Sequence, residues 1–283
     1  MSWHGLYINL DRAPERRRRI EAELERHGLA ARYERLAATD GRTLETASPR
    51  SRAEVGIFRS HRAALARAAD STPATHVIED DVLLCDLTAP AIERTVAQGG
   101  LERFDVVFLD TFVALRPGAL RAWRELFERC TGGQWPIDGV GRIRLVDLGR
   151  DYLFGATSYL VGPGGARRLL ALADEELGRG PAVPFDDMIQ AAARGGRLRV
   201  GCLFPFVTTV DLETAKASSA ERADETPGYM RVEHLVRHSL FARRDLQGVV
   251  VPGLEAVVAP LRSRARPQTH AIDLQVMEYL CLR

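Results

Sequence analysis

The chain has 283 residues, 46% of them hydrophobic, which lets it bury roughly three quarters of its unfolded surface as one large α/β domain or a domain with an appendage. Its 39 basic and 38 acidic residues leave a net charge of +1, which excludes the global field of a nucleic-acid binder and confines any anion binding to local patches. The four cysteines, Cys85, Cys130, Cys202 and Cys281, form no metal-ligand spacing and read as reduced thiols. No run approaches the roughly eighteen apolar residues of a membrane span, and the first residues do not read as a leader. The expectation is a cytoplasmic chain, at most peripheral to the inner membrane.

Trp3 to Leu10 is a compact apolar run ending in polar Asn9 and Asp11, and Pro14 then opens a charged helix-forming stretch, Glu15 to His27, stopped by Gly28. Ser51 and Glu54 have the S-x-x-E spacing of a capping box and announce a helix through Phe58, Arg62, Leu65 and Ala69. A strand over Thr75 to Glu79, a helix near Thr88 to Ala97 and an apolar run from Phe104 to Leu109, ending at Asp110, follow in order. Pro117 to Cys130 reads as helix and the glycine-rich Thr131 to Gly141 as a loop.

Arg142 to Leu148 and Leu153 to Val161 are strand candidates. The turn Gly162 to Gly165 and a helix over Ala166 to Leu177 come next, without the G-x-G-x-x-G spacing of a dinucleotide site. Pro184-Phe185-Asp186-Asp187 opens a helix over Met188 to Arg194 with both carboxylates in its first turn. Two short strands surround Pro205, and Thr208 to Pro227 reads as a polar, mobile loop. The division expected is a catalytic domain over residues 1–227 and a small C-terminal appendage, 228–283, packed on it. Alternating strands and helices imply a mainly parallel central sheet with helices on both faces, and ligands in such sheets bind beyond the carboxyl ends of the strands.

Polar groups cluster at those ends. Thr75 to Asp81 reads T-H-V-I-E-D-D, so three carboxylates, Glu79, Asp80 and Asp81, stand together where a cation or several donors must offset their repulsion. Asn9 with Asp11, and Asp110, stand at two other strand ends. A hard ion such as Mn²⁺ or Mg²⁺ would bridge carboxylates to a diphosphate, with Arg12, Arg16 and Arg59 as candidate phosphate contacts. Each arginine also reads as an exposed helix charge. His61, after Ser60, could reach phosphate from its helix, although a lone helical histidine is more often structural. Asp186 or Asp187 could act as the base that deprotonates an acceptor hydroxyl, or could serve only as helix-start carboxylates.

Five ordered blocks over about residues 5–220 resemble glycosyltransferase family 25, which includes bacterial lipopolysaccharide galactosyltransferases and relatives among collagen galactosyltransferases. They are Y-I-N-L-D-R-A-P-E-R-R-R-R (Tyr7 to Arg19), E-V-G-I-F-R-S-H-R-A-A-L (Glu54 to Leu65), H-V-I-E-D-D-V (His76 to Val82), G-A-T-S-Y-L-V-G-P-G-G-A-R-R-L-L (Gly155 to Leu170) and P-F-D-D (Pro184 to Asp187). The resemblance implies a GT-A-like fold, a UDP-sugar donor, Mn²⁺ dependence and inversion at the anomeric carbon. It also implies donor contacts from Asn9, Asp11, Arg12, Ser60 and His61, with Asp81 as the main metal ligand. Glu79 or Asp80 would help hold metal or ribose, and Asp186 would be the base. Ile57 stands where the family often has cysteine, and Asp187 replaces the usual aromatic after P-V-D. The latter departure bears on the acceptor, which could be a glycan, a peptide or a small molecule. Two other readings are a noncatalytic nucleotide-sugar or glycan-binding module and a metal phosphohydrolase, which would release sugar phosphate or inorganic phosphate in place of UDP.

Overall fold

The computed structural model describes residues 3–45, 51–71, 74–111, 135–136, 139–140, 143–149, 155–181, 183–211, 237–238 and 241–242. The first apolar run is β1 (Trp3–Asn9), and α1 (Pro14–Arg26) follows with Pro14 at a position that needs no amide donor. Gly28, at φ 66°, turns the chain out of the helix. The next strand, β2 (Tyr33–Ala37), escaped the sequence reading because it is a polar, half-exposed edge strand without an apolar run. In α2 (Arg52–Ala69) the expected capping box is present: Ser51 Oγ accepts from the Glu54 amide, and the Glu54 carboxylate accepts from the Ser51 amide.

The remaining elements are β3 (Ala74–Glu79), β4 (Val82–Leu84), α3 (Thr88–Ala97), α4 (Gly100–Arg103), β5 (Val106–Phe108), β6 (Trp135–Pro136), β7 (Arg144–Asp147), β8 (Ser158–Val161), α5 (Pro163–Gly178), α6 (Phe185–Arg194), β9 (Val200–Phe204) and β10 (Thr208–Val210). Among the described residues, an eight-stranded sheet has the order β2-β1-β3-β8-β5-β9-β7-β6. Strands β1, β2, β3, β5, β6 and β9 run one way and β7 and β8 the other, so the sheet is mainly co-directional with two antiparallel strands inside it. A second sheet pairs β4 with β10 antiparallel.

Side chains alternate across the pleat and feed two cores. Leu6, Ile8, Val77, Val106 and Phe108 pack on one face with Phe58 and Leu65 of α2, Leu169 of α5 and Ile189 of α6. Tyr7, Ile78, Val107 and Leu109 pack on the other with Ile20 and Leu24 of α1 and Ile92 of α3. Helices therefore cover both faces, as the alternation of elements requires. One polar thread crosses the sheet: His76 bonds Ser158 Oγ at 2.9 Å and the Tyr33 hydroxyl, and burial pushes its pKa down to about 3. The thread is built for a neutral imidazole.

Three local expectations change. Pro163, Gly164 and Gly165 are not a separate turn but the first turn of α5, and Gly165 is required there because a Cβ would lie 1.8 Å from the Asp105 carbonyl oxygen. The stretch read as a loop over Thr131 to Gly141 contributes the edge strand β6, where a proline costs no interior ladder bond. The stretch read as mobile from Thr208 begins as the buried strand β10, since Thr209 and Val210 pair with Leu83 and Val82. The helix expected over Pro117 to Cys130 and the rest of the Thr208 to Pro227 stretch lie outside the described residues. So does most of the 228–283 appendage. Its described residues are docked: Phe241 bridges Phe206, and the Ala242 amide donates to the Phe206 carbonyl at 2.7 Å. Cys85 and Cys202 are buried. No helix among the described residues is long and apolar enough to cross a membrane.

Candidate active site

Beyond the carboxyl ends of β1, β2 and β3 lies a cleft of about 620 Å³, the size of small-molecule sites. Its walls are the loop after β1 (Leu10, Arg12, Ala13), the first turn of α1 (Arg16), the turn after β2 (Ala38 to Arg42), α2 (Arg52, Ala53, Ile57, Ser60) and the E-D-D turn. Two glycines allow the third and fourth walls to meet. A Cβ on Gly41 would lie 2.1 Å from the Arg52 carbonyl oxygen, and one on Gly56 would lie 2.7 Å from that of Thr39. One turn further along α2, Ser60 Oγ donates to the Gly56 carbonyl at 2.7 Å and accepts from the Thr39 amide at 2.9 Å. Ser60 lines the cleft, but its hydrogen bonds hold the wall together.

The floor is the acidic turn between β3 and β4, and the Asp211 amide anchors it by donating to the Asp81 carbonyl at 2.7 Å. Each carboxylate has a different environment. Asp80 is buried; Asn9 Nδ2 donates to its Oδ2 at 2.7 Å and Arg16 pairs with its Oδ1. Burial raises the Asp80 pKa, and Arg16 and Asn9 oppose that rise. Asn9 is itself fixed, donating to the Ala13 carbonyl at 3.2 Å and accepting from Arg35 Nε at 3.1 Å. Asp81 has one oxygen, Oδ2, paired with Arg16 at 3.0 Å, while Oδ1 is buried with no hydrogen-bond partner among the described residues. Burial, reinforced by the Glu79 and Asp80 charges, pushes its pKa up to about 7, and Arg16 counters this only in part.

Glu79 differs from both in that its surroundings favour the ionised form. Its Oε1 bonds His61 Nε2 at 3.2 Å. Burial alone would raise its pKa, but the His61 contact and the Arg16 and Arg237 charges outweigh burial and hold it below the usual carboxylate range. His61 is buried behind Glu79. Its other nitrogen meets the Tyr159 hydroxyl at 3.2 Å, and its ring stacks on Phe185 at 4.6 Å and 6°. It is not part of the cleft lining, so this histidine reaches the cleft through Glu79.

The structure does not gather every candidate. Asp11 is 80% exposed and pairs with Arg35 at 2.6 Å outside the cleft, and Arg59 is exposed and also outside it. Arg12 lines the cleft, paired with Asp40 at 2.7 Å. The Arg42 amide and the Arg12 guanidinium hold the Asp40 carboxyl below its ordinary range. Asp110 is fully buried and does not line the cleft, accepting from Thr157 Oγ1 at 3.2 Å and from Arg237. Burial raises its pKa against the pull of Arg237. At the start of α6, Asp186 accepts from the Gly155 amide at 3.0 Å through Oδ2 and from the Asp187 amide at 3.1 Å through Oδ1, and burial raises its pKa. Asp187 is half-buried, and neither carboxylate lines the cleft. Phe185, just before them in the chain, stacks on His61, which bonds Glu79.

Sequence reasoning missed Asp40, Arg42 and Arg52, which line the cleft, and Arg237, which is buried on Asp110. The T-D-G stretch at Thr39 to Gly41 is a legible turn signal at a strand end. Arg237 carries no such signal, because nothing near it in sequence marks its burial.

The donors present suit a hard divalent ion in one respect: Asp81 Oδ1 is a buried, unpartnered anionic oxygen beside Glu79. Among the described residues, however, no three His, Cys, Asp or Glu side chains are placed to hold a metal by themselves. An ion here would therefore take one or two ligands from Asp81 and Glu79 and the rest from a bound phosphate or water.

The model for glycosyltransferase family 25, described as an LPS biosynthesis protein, matches residues 4–189. No curated protein matches the chain. Among solved structures, the galactosyltransferase LgtC in complex with donor and acceptor sugar analogs is similar at 10% identity and a TM-score of 0.37, covering 90% of this chain and 95% of that one.

Proposed function

Because this chain belongs to glycosyltransferase family 25, we propose that the cleft binds the nucleoside diphosphate of a UDP-sugar and that a divalent cation on Asp81 joins diphosphate to protein. One observation carries the reading: an under-satisfied Asp81 carboxylate faces an arginine-lined cleft at the ends of three co-directional strands. Bound there, Mn²⁺ or Mg²⁺ would supply Lewis-acid stabilisation of the departing diphosphate. Arg12 and Arg42 stand on the cleft wall to contact phosphate oxygens in the forked geometry that guanidinium favours. Asn9 positions Asp80, and His61 positions Glu79, each by the hydrogen bonds given above.

The sugar, galactose by family resemblance, would then lie towards Glu79 and the start of α6. There a base must take the acceptor hydroxyl proton as the diphosphate leaves from the opposite face, which inverts the anomeric carbon. Both Asp186 oxygens already accept backbone amides, whereas no side-chain hydrogen bond engages Asp187 among the described residues, which makes Asp187 the better base. The acceptor is a hydroxyl of a glycan, peptide or small molecule.

The test is a donor screen with UDP-galactose, UDP-glucose and UDP-N-acetylglucosamine, with Mn²⁺ or with EDTA, read by UDP release and the mass of the glycosylated product. One donor should give metal-dependent UDP that is lost in Asp81→Ala. Asp187→Asn should lower turnover more than Asp186→Asn with UDP binding retained. Sugar phosphate or inorganic phosphate as the product would replace the reading with a hydrolase. Unchanged turnover in Asp81→Ala would remove the metal from Asp81.

A further inference from the structure

Arg16 sits where an arginine is electrostatically out of place. It is the third residue of α1, in the first turn, where the helix dipole disfavours a cation and favours an anion. It is held there by the acids it bridges: a single nitrogen, Nη2, pairs with both Asp80 and Asp81. The rest of the fork is not used on them, and Nε is buried without a hydrogen bond. This is a poor use of a group suited to bidentate pairing. The same side chain lines the cleft beside the open Asp81 oxygen.

We propose that Arg16 is a resident counter-ion that a divalent cation and a diphosphate displace together, the cation taking over the carboxylates while the guanidinium turns to the phosphate oxygens. The inference rests on the metal–diphosphate reading above and adds a consequence to it. A cation arriving alone must evict Arg16 from Asp81 with nothing to receive it, and a diphosphate arriving alone must compete for Arg16 against two carboxylates. Each ligand removes the other's obstacle, so binding is cooperative and the order of arrival is immaterial. The α1 N-terminus, unfavourable for Arg16, then faces an anion.

Mn²⁺ binding to the full chain, followed by loss of the free-ion electron paramagnetic resonance signal with and without UDP, tests this directly. The buffer should be at about pH 8, so that proton release by the carboxylates does not mask the effect. Wild type should bind the ion weakly alone and more tightly with UDP, by a factor in the roughly 5–150-fold range of coupled sites, and Mn²⁺ must tighten UDP by the same factor. Arg16→Gln should bind Mn²⁺ alone several-fold more tightly than wild type while UDP tightens it less. Arg16→Lys, which keeps the charge, should bind Mn²⁺ alone as wild type does. A residue that merely contacts phosphate or supports the fold would not raise affinity for the bare cation.

Bare-cation binding by Arg16→Gln that is equal to or weaker than wild type, with UDP-dependent binding intact in wild type, overturns the displacement and leaves the metal reading standing. Wild-type Mn²⁺ affinity that UDP does not change overturns it without any variant. Absence of Mn²⁺ binding sensitive to Asp81→Ala, with or without UDP, overturns both.

Discussion

Asp105 and Asp81 are carboxylates at opposite ends of the sheet, and the protein treats them in opposite ways. Asp105, entering β5, is buried with each oxygen satisfied: Oδ1 accepts from Arg168 at 2.8 Å and Arg199 at 3.0 Å, and Oδ2 accepts from the Arg199 amide at 2.8 Å. Its arginines are more than half exposed, so their charges stay solvated while they close off the strand end. Asp81, leaving β3, shares one arginine nitrogen with Asp80, has one oxygen without a partner and sits beside two like charges. Ion pairing that completes a carboxylate marks structure; pairing that leaves it incomplete marks a place for a ligand.

Substituting each aspartate by asparagine should therefore separate activity from stability. The largest effect expected is on turnover in Asp81→Asn: losing several kcal/mol of transition-state stabilisation corresponds to a fall of about a thousandfold in kcat/KM. Asp105→Asn should leave kcat/KM at moderate temperature within about twofold of wild type and lose about 1–3 kcal/mol of unfolding free energy in a urea titration, the cost of its charged hydrogen bonds. A stability loss in Asp81→Asn to match that of Asp105→Asn would erase the distinction.

Glu79 lies between the two extremes, open to the cleft on one side and tied to His61 on the other. His61→Asn should lower kcat/KM by roughly tenfold, the usual cost of losing a group that orients a ligand-bearing side chain. Most of that loss should fall on kcat, because Arg12, Arg16 and Arg42 remain in the cleft. An unchanged kcat with raised KM would instead place His61 in direct contact with the donor.

What the sequence discloses about this contrast depends on how local the signal is. The acids of T-H-V-I-E-D-D are legible because an apolar strand and its polar end are adjacent in the chain, and the α2 start is legible because a capping box spans four residues. The satisfaction of those acids is not legible. Asn9 meets Asp80 across 71 residues and Arg237 meets Asp110 across 127. Composition and spacing do not report which oxygen is left without a donor. Ser60 and His61 stand in a recognisable block, yet one ties α2 to Thr39 and the other stands behind Glu79, geometry that appears only once α2 is laid across the sheet. The polar strand β2 escaped for the same reason: what makes it a strand is its pairing with β1, not its own pattern.

The smallest effect expected is thermodynamic and opposite in sign to that of Asp105. In the folded chain the Asp81 pKa is raised from 3.8 to about 7, chiefly by burial and then by Glu79 and Asp80. Between those values the folded state binds more protons than the unfolded state, so stability falls as pH rises, and above about 7 the full cost of the buried charge remains. Asparagine removes the charge at every pH. In chelator, with no divalent ion to compensate, Asp81→Asn should melt a few degrees above wild type at about pH 8, and the gain should shrink towards about pH 3, where wild-type Asp81 is mostly neutral in both states. Mn²⁺ with UDP should reverse the order at about pH 8, because only wild type has the carboxylate that binds them. Equal melting temperatures at both pH values would mean that Arg16 already neutralises Asp81 in full. The carboxylate would then be as complete as Asp105, and the contrast between the two ends of the sheet would collapse.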